Sequence, residues 1–251
     1  MGTQKRIVLV TGGAKGVGRG ISERFLASGA QVVACGREAP ADLPKGLAFI
    51  RADVREAAAR DVLFAEITKR YGRLDVLVNN AGGSPPALAD KVSPRFHESI
   101  IQLNLLAPLH LAQQANALMQ TQAEGGVILF IASVSALRPS PGTAAYGAAK
   151  AGIVSLTQSL AVEWAPKVRV AAVSPGLVRT EQAAQHYGDA AGIAAVAATV
   201  PMQRLAEPGE IGDACVWLAS KDAAYASGTN LVLHGGGERP AFLSAASVKQ
   251  S

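Results

Sequence analysis

The feature that most constrains this chain lies near its amino end. Four consecutive apolar residues, Ile7-Val8-Leu9-Val10, run directly into Thr11-Gly12-Gly13-Ala14-Lys15-Gly16-Val17-Gly18. A helical pattern over 17–28 follows and stops at Gly29. A β-branched run closed by glycines and answered by a helix predicts a strand–turn–helix unit. Glycine at 12, 16 and 18 lets the chain turn tightly, lets backbone approach a ligand and lets the helix pack close to its strand. The start of such a helix presents free N–H groups and the positive end of the helix dipole, which suits a phosphate.

The alternation then continues without a break. Apolar runs at 31–35, 47–51, 74–78, 127–132, 168–173 and 229–233 predict six more strands. Helical patterns at 55–71, 96–119, 146–164 and 210–220 lie among them. Strand, helix, strand in repetition means parallel strands joined by crossover helices. Several runs are apolar throughout, as in a sheet buried on both faces. An eight-stranded α/β barrel has a similar length, and the glycine-rich first turn decides against it. The expected fold is α/β: a single-domain, Rossmann-like, doubly wound parallel sheet of about seven strands with helices on both faces, over 1–251. The one long irregular stretch, 177–208, is expected to be a substrate-binding lid with short helices of its own.

Composition agrees with a packed enzyme-sized domain. The 251 residues are 49% hydrophobic and 17% charged, which excludes a disordered chain. Aromatics are only 5%, so the core must be built from Ala, Val, Ile and Leu. The net charge of +5 is scattered, with no run of five like charges, so no nucleic-acid surface is expected. Cys35 and Cys215 form no CxxC or zinc spacing, and His97, His110 and His234 show no metal spacing; no metal is expected. The initial apolar run is too short for a signal-peptide core, and the stretch 190–200 is too short to span a bilayer. No membrane association and a cytoplasmic location are therefore expected.

Tyr146 and Lys150 stand four apart in a helical pattern, one turn from each other on one face. A phenol near its ordinary pKa is a poor acid/base at neutral pH, and a neighbouring ammonium favours the phenolate. Small residues crowd around them: Gly147, Ala148, Ala149, Ala151 and Gly152. Something is therefore expected to approach this helix closely. Ser133, just after the fifth strand, offers a hydroxyl that can hold a carbonyl. The second strand ends with Gly36 and Arg37, where a dinucleotide site often has an acid for the ribose 2′-hydroxyl. Arg37 and Lys15 instead suit a 2′-phosphate, which favours NADP(H), with NAD(H) as the alternative.

With these residues the chain resembles the short-chain dehydrogenase/reductases over nearly its whole length. Four motifs stand in the family's order: Thr11-Gly-x-x-x-Gly-x-Gly18, Asn79-Asn-Ala-Gly82, Ser133 with Tyr146-x-x-x-Lys150, and Pro175-Gly176 followed by Thr180. The resemblance implies that Tyr146 is the general acid in reduction and that Ser133 polarises the carbonyl. It implies that Lys150 lowers the tyrosine pKa and holds the nicotinamide ribose, and that Asn104 holds a water relaying protons to Lys150. Gly12, Lys15, Gly16, Val17 and Gly18 would carry the phosphates. Asn80, Ala81 and Gly82 would pass the adenosine ribose. Asp53 and Val54 would meet the adenine, and Pro175, Gly176, Val178 and Thr180 the nicotinamide. It also implies a homotetramer, or a dimer.

The substrate is expected to be a small-molecule carbonyl or its alcohol. The lid carries Glu181, Gln182, His186 and Tyr187 and then an alanine-rich run, which suits a roomy, mostly apolar pocket and a hydrophobic or cyclic ketone. A 3-oxoacyl thioester is the alternative, since Arg138 or Arg239 could meet an anionic group. The segment 119–125 has no Lys or Arg, which argues against an acyl-carrier-protein partner. A non-catalytic cofactor-binding regulator would be expected to have lost residues of the Asn104, Ser133, Tyr146 and Lys150 set. An epimerase would need an extended substrate domain.

Overall fold

A computed structural model describes residues 5–181 and 183–245, so Gln182 lies outside the described residues. Seven strands form one parallel sheet: β1 (Ile7–Thr11), β2 (Gln31–Gly36), β3 (Ala48–Arg51), β4 (Val76–Asn79), β5 (Gly126–Ile131), β6 (Val168–Pro175) and β7 (Asn230–Leu233). Their spatial order is β3-β2-β1-β4-β5-β6-β7. The chain starts in the middle, winds outward to β3, then crosses back and winds the other way. The reversal falls between β1 and β4, where open α/β sheets leave a crevice beyond the strand ends. All pairings are parallel. The carboxyl ends of the strands therefore share one edge.

Both faces of the sheet are buried, as the continuous apolar runs require. Along β1, alternate residues serve opposite cores: Val8 and Val10 face one, Leu9 the other, and all three are fully buried. Helices α1 (Gly16–Ala27) and α8 (Pro208–Ala219) cover the Val8 face through Ile21, Phe25, Ile211 and Leu218. Helices α2 (Ala57–Tyr71), α4 (Ala107–Thr121) and α5 (Ala144–Trp164) cover the Leu9 face through Leu63, Ile67, Leu111, Ala115 and Ile153. The α1–α8 crossing is close because Gly20 has no side chain; a Cβ there would lie 2.4 Å from the Pro208 carbonyl carbon.

The single helix expected over 96–119 is interrupted. It runs as α3 (Pro94–Ile101), a π-helical turn at Gln102–Leu106, and α4. Ser93 caps α3 by accepting from the Phe96 N–H at 3.3 Å. The π-turn holds Asn104, and such turns recur at functional sites because they re-aim a side chain. Hydrophobic periodicity is unable to show a one-residue insertion in an otherwise helical ladder.

The segment 177–208 contains α6 (Ala183–Tyr187) and α7 (Ala190–Thr199). Asp189 caps α7, accepting from the Gly192 N–H at 2.9 Å. The two ends of the segment are pinned together: Arg179 N–H donates to the Ala206 carbonyl at 2.8 Å and Ala206 N–H to the Leu177 carbonyl at 2.9 Å. A short helix α9 (Phe242–Ala245) closes the described chain.

Candidate active site

Because the strands are parallel, the ends of β1, β4, β5 and β6 bring four distant segments to one edge. The first is the glycine turn. Gly12 has φ +64° and Gly16 φ +51°, values that disfavour any side chain. Gly18 is fully packed: a Cβ there would lie 2.2 Å from the Gly12 carbonyl oxygen and 2.5 Å from Asn80 Nδ2. Gly16 is different, for its Cβ would meet only the side chains of Thr180 and Glu181, at 3.6 Å or more. The turn is thus tightly closed toward the sheet, while above the α1 start it meets only the side chains of Thr180 and Glu181, which fits a phosphate carried on its amides. Lys15 and Arg37 are exposed on this edge.

Thr11 ties this turn to the next segment, 79–83. Its Oγ1 accepts from the N–H groups of Asn80 (3.0 Å) and Ala81 (2.9 Å). Asn80 Nδ2 returns a hydrogen bond to the Thr11 carbonyl at 2.9 Å. Asn104, fully buried, holds the far end of the same loop. Its Oδ1 accepts from Gly83 N–H at 2.8 Å, and its Nδ2 donates to the carbonyls of Gly83 (2.9 Å) and Ile100 (3.0 Å). The Asn104 side-chain amide is thus fully engaged with backbone.

Ser133, Tyr146 and Lys150 converge from β5 and α5. Lys150 is 3% exposed, and its ammonium donates to the Ile131 carbonyl at 2.7 Å. Its Nζ lies 5.5 Å from the Tyr146 ring centroid. A Cβ on Gly82 would be 3.4 Å from the same Nζ, so the 79–83 loop passes directly over the lysine. Burial lowers the Lys150 pKa to about 8. Burial pushes the Tyr146 phenol up, and a hydrogen bond with Ser133 pulls it partly back. Ser133 Oγ also accepts from Ser135 N–H at 3.1 Å, which fixes the hydroxyl at the strand end.

The remaining expected residues divide by what they offer. Val54 is a buried core side chain, which leaves only its backbone for a ligand. Asp53 is gripped by Arg55, whose guanidinium and N–H both reach its carboxylate, and this pairing holds the Asp53 pKa down. Pro175 ends β6, and Gly176 N–H donates to the Leu233 carbonyl at 2.7 Å. Val178 bridges to Ala206 and its side chain packs with the α1–α8 core. Thr180 lies over the glycine turn. Arg138 forms an ion pair with Glu238 at 2.6 Å. Among the described residues no His, Cys, Asp or Glu cluster could hold a metal. Cys35 and Cys215 are buried free thiols, each pushed up to about 12 by burial. Thr11 and Arg55 join the site from outside the expected residues. A threonine closing the first strand was a usable signal for the former; nothing local marks the latter.

The chain matches the family described as Enoyl-(Acyl carrier protein) reductase over residues 12–238. It is 37% identical over 247 residues to an uncharacterized short-chain type dehydrogenase/reductase, y4vI, of Sinorhizobium fredii, covering 92% of this chain and 43% of that longer protein. It is 33% identical over 242 residues to 3beta-hydroxysteroid dehydrogenase 1 of Eggerthella lenta, covering 92% of this chain and 93% of the other. Among solved structures, ligand-free aldohexose dehydrogenase of Thermoplasma acidophilum superposes with a TM-score of 0.88 at 30% identity, covering 99% of this chain and 98% of that one.

Proposed function

The chain belongs to the short-chain dehydrogenase/reductase family of oxidoreductases, and on that premise we propose that it is an NADP(H)-dependent carbonyl reductase, reversible as an alcohol dehydrogenase, acting on a hydrophobic or cyclic ketone. The observation that carries this is the convergence of Ser133, Tyr146 and Lys150 beside the glycine turn, at the reversal point of the sheet.

When bound, the dinucleotide supplies the hydride. The chain's own residues do the rest. The amides at the α1 start would carry the pyrophosphate, with Lys15 and Arg37 beside the 2′-phosphate. Lys150 would hold the nicotinamide ribose, and Pro175, Gly176 and Thr180 would border the nicotinamide. The Ser133 hydroxyl would hold the substrate carbonyl oxygen. Tyr146 would donate its proton to that oxygen. Burial raises the phenol further above its ordinary range, so Tyr146 would meet the carbonyl oxygen with its proton in place. Asn104 and Thr11 would act as positioning residues for the 79–83 loop.

Segment 177–208 serves as the substrate lid in this reading, its ends held by the Arg179–Ala206 hydrogen bond and its α7 rich in alanine. The pairing of Arg138 with Glu238 neutralises one charge near the lid and supports a neutral carbonyl over an anionic thioester. The hydroxysteroid relative supports a cyclic ketone; the aldohexose neighbour supports a sugar, and the matched family's description an acyl substrate. Exposed Val162, Trp217 and Tyr225 support burial against further copies, as a homotetramer or dimer. No described helix is long and apolar enough to cross a membrane. The unpaired thiols fit a reducing compartment, the cytoplasm.

The test is NADPH oxidation across steroid and bicyclic ketones, 3-oxoacyl thioesters, small diketones and keto sugars. One clear class of substrate is expected. Tyr146→Phe should abolish its turnover while still binding NADPH. Substantial residual turnover in that variant, or equal catalytic efficiency with NADH, would overturn the corresponding part of the reading.

A further inference from the structure

Gly16 opens α1, and its N–H donates to a carboxylate oxygen of Glu181, 165 positions away, at 3.1 Å. We propose that Glu181 is a lid-borne anion that competes with the cofactor pyrophosphate for the start of α1, so that lid position and cofactor occupancy are coupled; this rests on the cofactor reading above. A helix start attracts an anion through its unpaired N–H groups and its dipole. The glycine turn is built to offer those groups, and in this structure a side chain of the chain itself takes one of them.

The surroundings explain why Glu181 goes there and not to an arginine. A cleft of about 380 Å³ beside the turn is lined by Gly16, Arg19, Arg24, Glu181 and Glu207, among others. Its arginines are already matched. Arg19 pairs with Glu23 and with Asp42, at 2.9 and 2.6 Å. Arg24 pairs with Asp213 at 3.1 Å, and neighbouring Arg179 with Glu207 at 3.2 Å. With these arginines matched, the helix start is the group that takes the Glu181 charge.

Chain position supplies the coupling. The segment is pinned at Arg179 N–H by the Ala206 carbonyl. Glu181 lies two residues beyond that point and two before Ala183, where α6 begins. Thr180, expected at the nicotinamide, is its neighbour and also lies over Gly16. A phosphate arriving at the α1 start would displace the carboxylate by direct competition and by like-charge repulsion. The start of the lid would then be released from the turn, leaving Thr180 to meet the cofactor. Ligand and carboxylate can shift this equilibrium only through their difference in affinity for the same place.

The experiment uses the full chain with Glu181→Gln, which keeps shape and removes charge, and Glu181→Ala. NADPH affinity is measured by fluorescence of the bound dihydronicotinamide. Adenosine 2′-monophosphate, which lacks the pyrophosphate, is measured by calorimetry. Both variants should bind NADPH about two- to five-fold more tightly than the natural chain, the range expected for an exposed charge at a helix start. Adenosine 2′-monophosphate should bind unchanged. Trypsin should also cut after Arg179 faster in the ligand-free variants. Unchanged or weaker NADPH binding, or equal tightening toward both ligands, would overturn the proposal. If the natural chain binds neither NADPH nor NADH, it is the cofactor reading that fails.

Discussion

Asn104 and Gly83 exchange two hydrogen bonds, amide side chain to backbone, across 21 positions of chain. The pairing clamps the 79–83 loop to the π-turn and so sets where Gly82 passes over Lys150. Asn104→Ala should lower unfolding free energy by about 1–3 kcal/mol, because the Ile100 carbonyl is left without this partner in a buried place. The same variant should weaken cofactor binding through the loosened loop. Urea denaturation and NADPH titration read the two effects separately.

Lys150 makes stability depend on alkaline pH. Its folded pKa of about 8 lies below its ordinary 10.5, so the folded chain releases this proton first. Below pH 8 the buried charge costs its full penalty. Between about 8 and 10.5 the unfolded chain holds more protons, so stability should rise with pH relative to a variant that lacks the group. The difference between the natural chain and Lys150→Met should move in favour of the natural chain by ~3 kcal/mol over that window. Cofactor-free denaturation at several pH values checks this; a flat difference would contradict it.

Two glycines of the turn should respond differently to a methyl group. Gly18→Ala would drive a Cβ into the Gly12 carbonyl, a backbone atom with nowhere to go. It should destabilise the fold by about 1–3 kcal/mol or more and abolish dinucleotide binding. Gly16→Ala has room above it and suffers only from its positive φ, about 1–2 kcal/mol. Melting temperatures of both variants distinguish the two causes.

Lys15 and Arg37 should set cofactor preference. Lys15→Ala with Arg37→Ala should lower kcat/KM for NADPH by about ten-fold or more, the scale of one lost charge-assisted hydrogen bond. The value for NADH should change little. Both side chains are exposed, so added salt should erode the preference in the natural chain.

In the direction of reduction, Tyr146 must carry its proton, and burial raises its pKa. Reduction should therefore be level from slightly acid to neutral pH and fall on the alkaline side, while alcohol oxidation should rise there. Initial rates in both directions against pH test the sign.

The parallel sheet was legible because Ile7–Thr11 and several of the later strands are apolar along most of their length, and because glycine follows β1 at Gly12 and ends β2 at Gly36 while Asn80 follows β4. The spacing of Tyr146 and Lys150 on one helical face was legible for the same local reason. The break at Gln102–Leu106 was not, since one inserted residue leaves the apolar pattern almost unchanged. The grip of Arg55 on Asp53 was also hidden, since a neighbouring charge pair in a sequence does not say which way either side chain turns.

By itself, the sequence determined the elements, the glycines that only a tight turn tolerates, and which residue types meet which strand ends. These depend on short-range sterics and on periodicities of two and 3.6 residues, which can be read along the chain. Tertiary structure alone decided the strand order, the Ile131 carbonyl as the partner of Lys150, the Gly83 backbone as the partner of Asn104, and Glu181 as the anion on Gly16. Each of those joins residues at least 19 positions apart. Such partners are chosen by how the crossovers fold back onto one edge of the sheet, and by the free energy of satisfying buried polar groups once they arrive there.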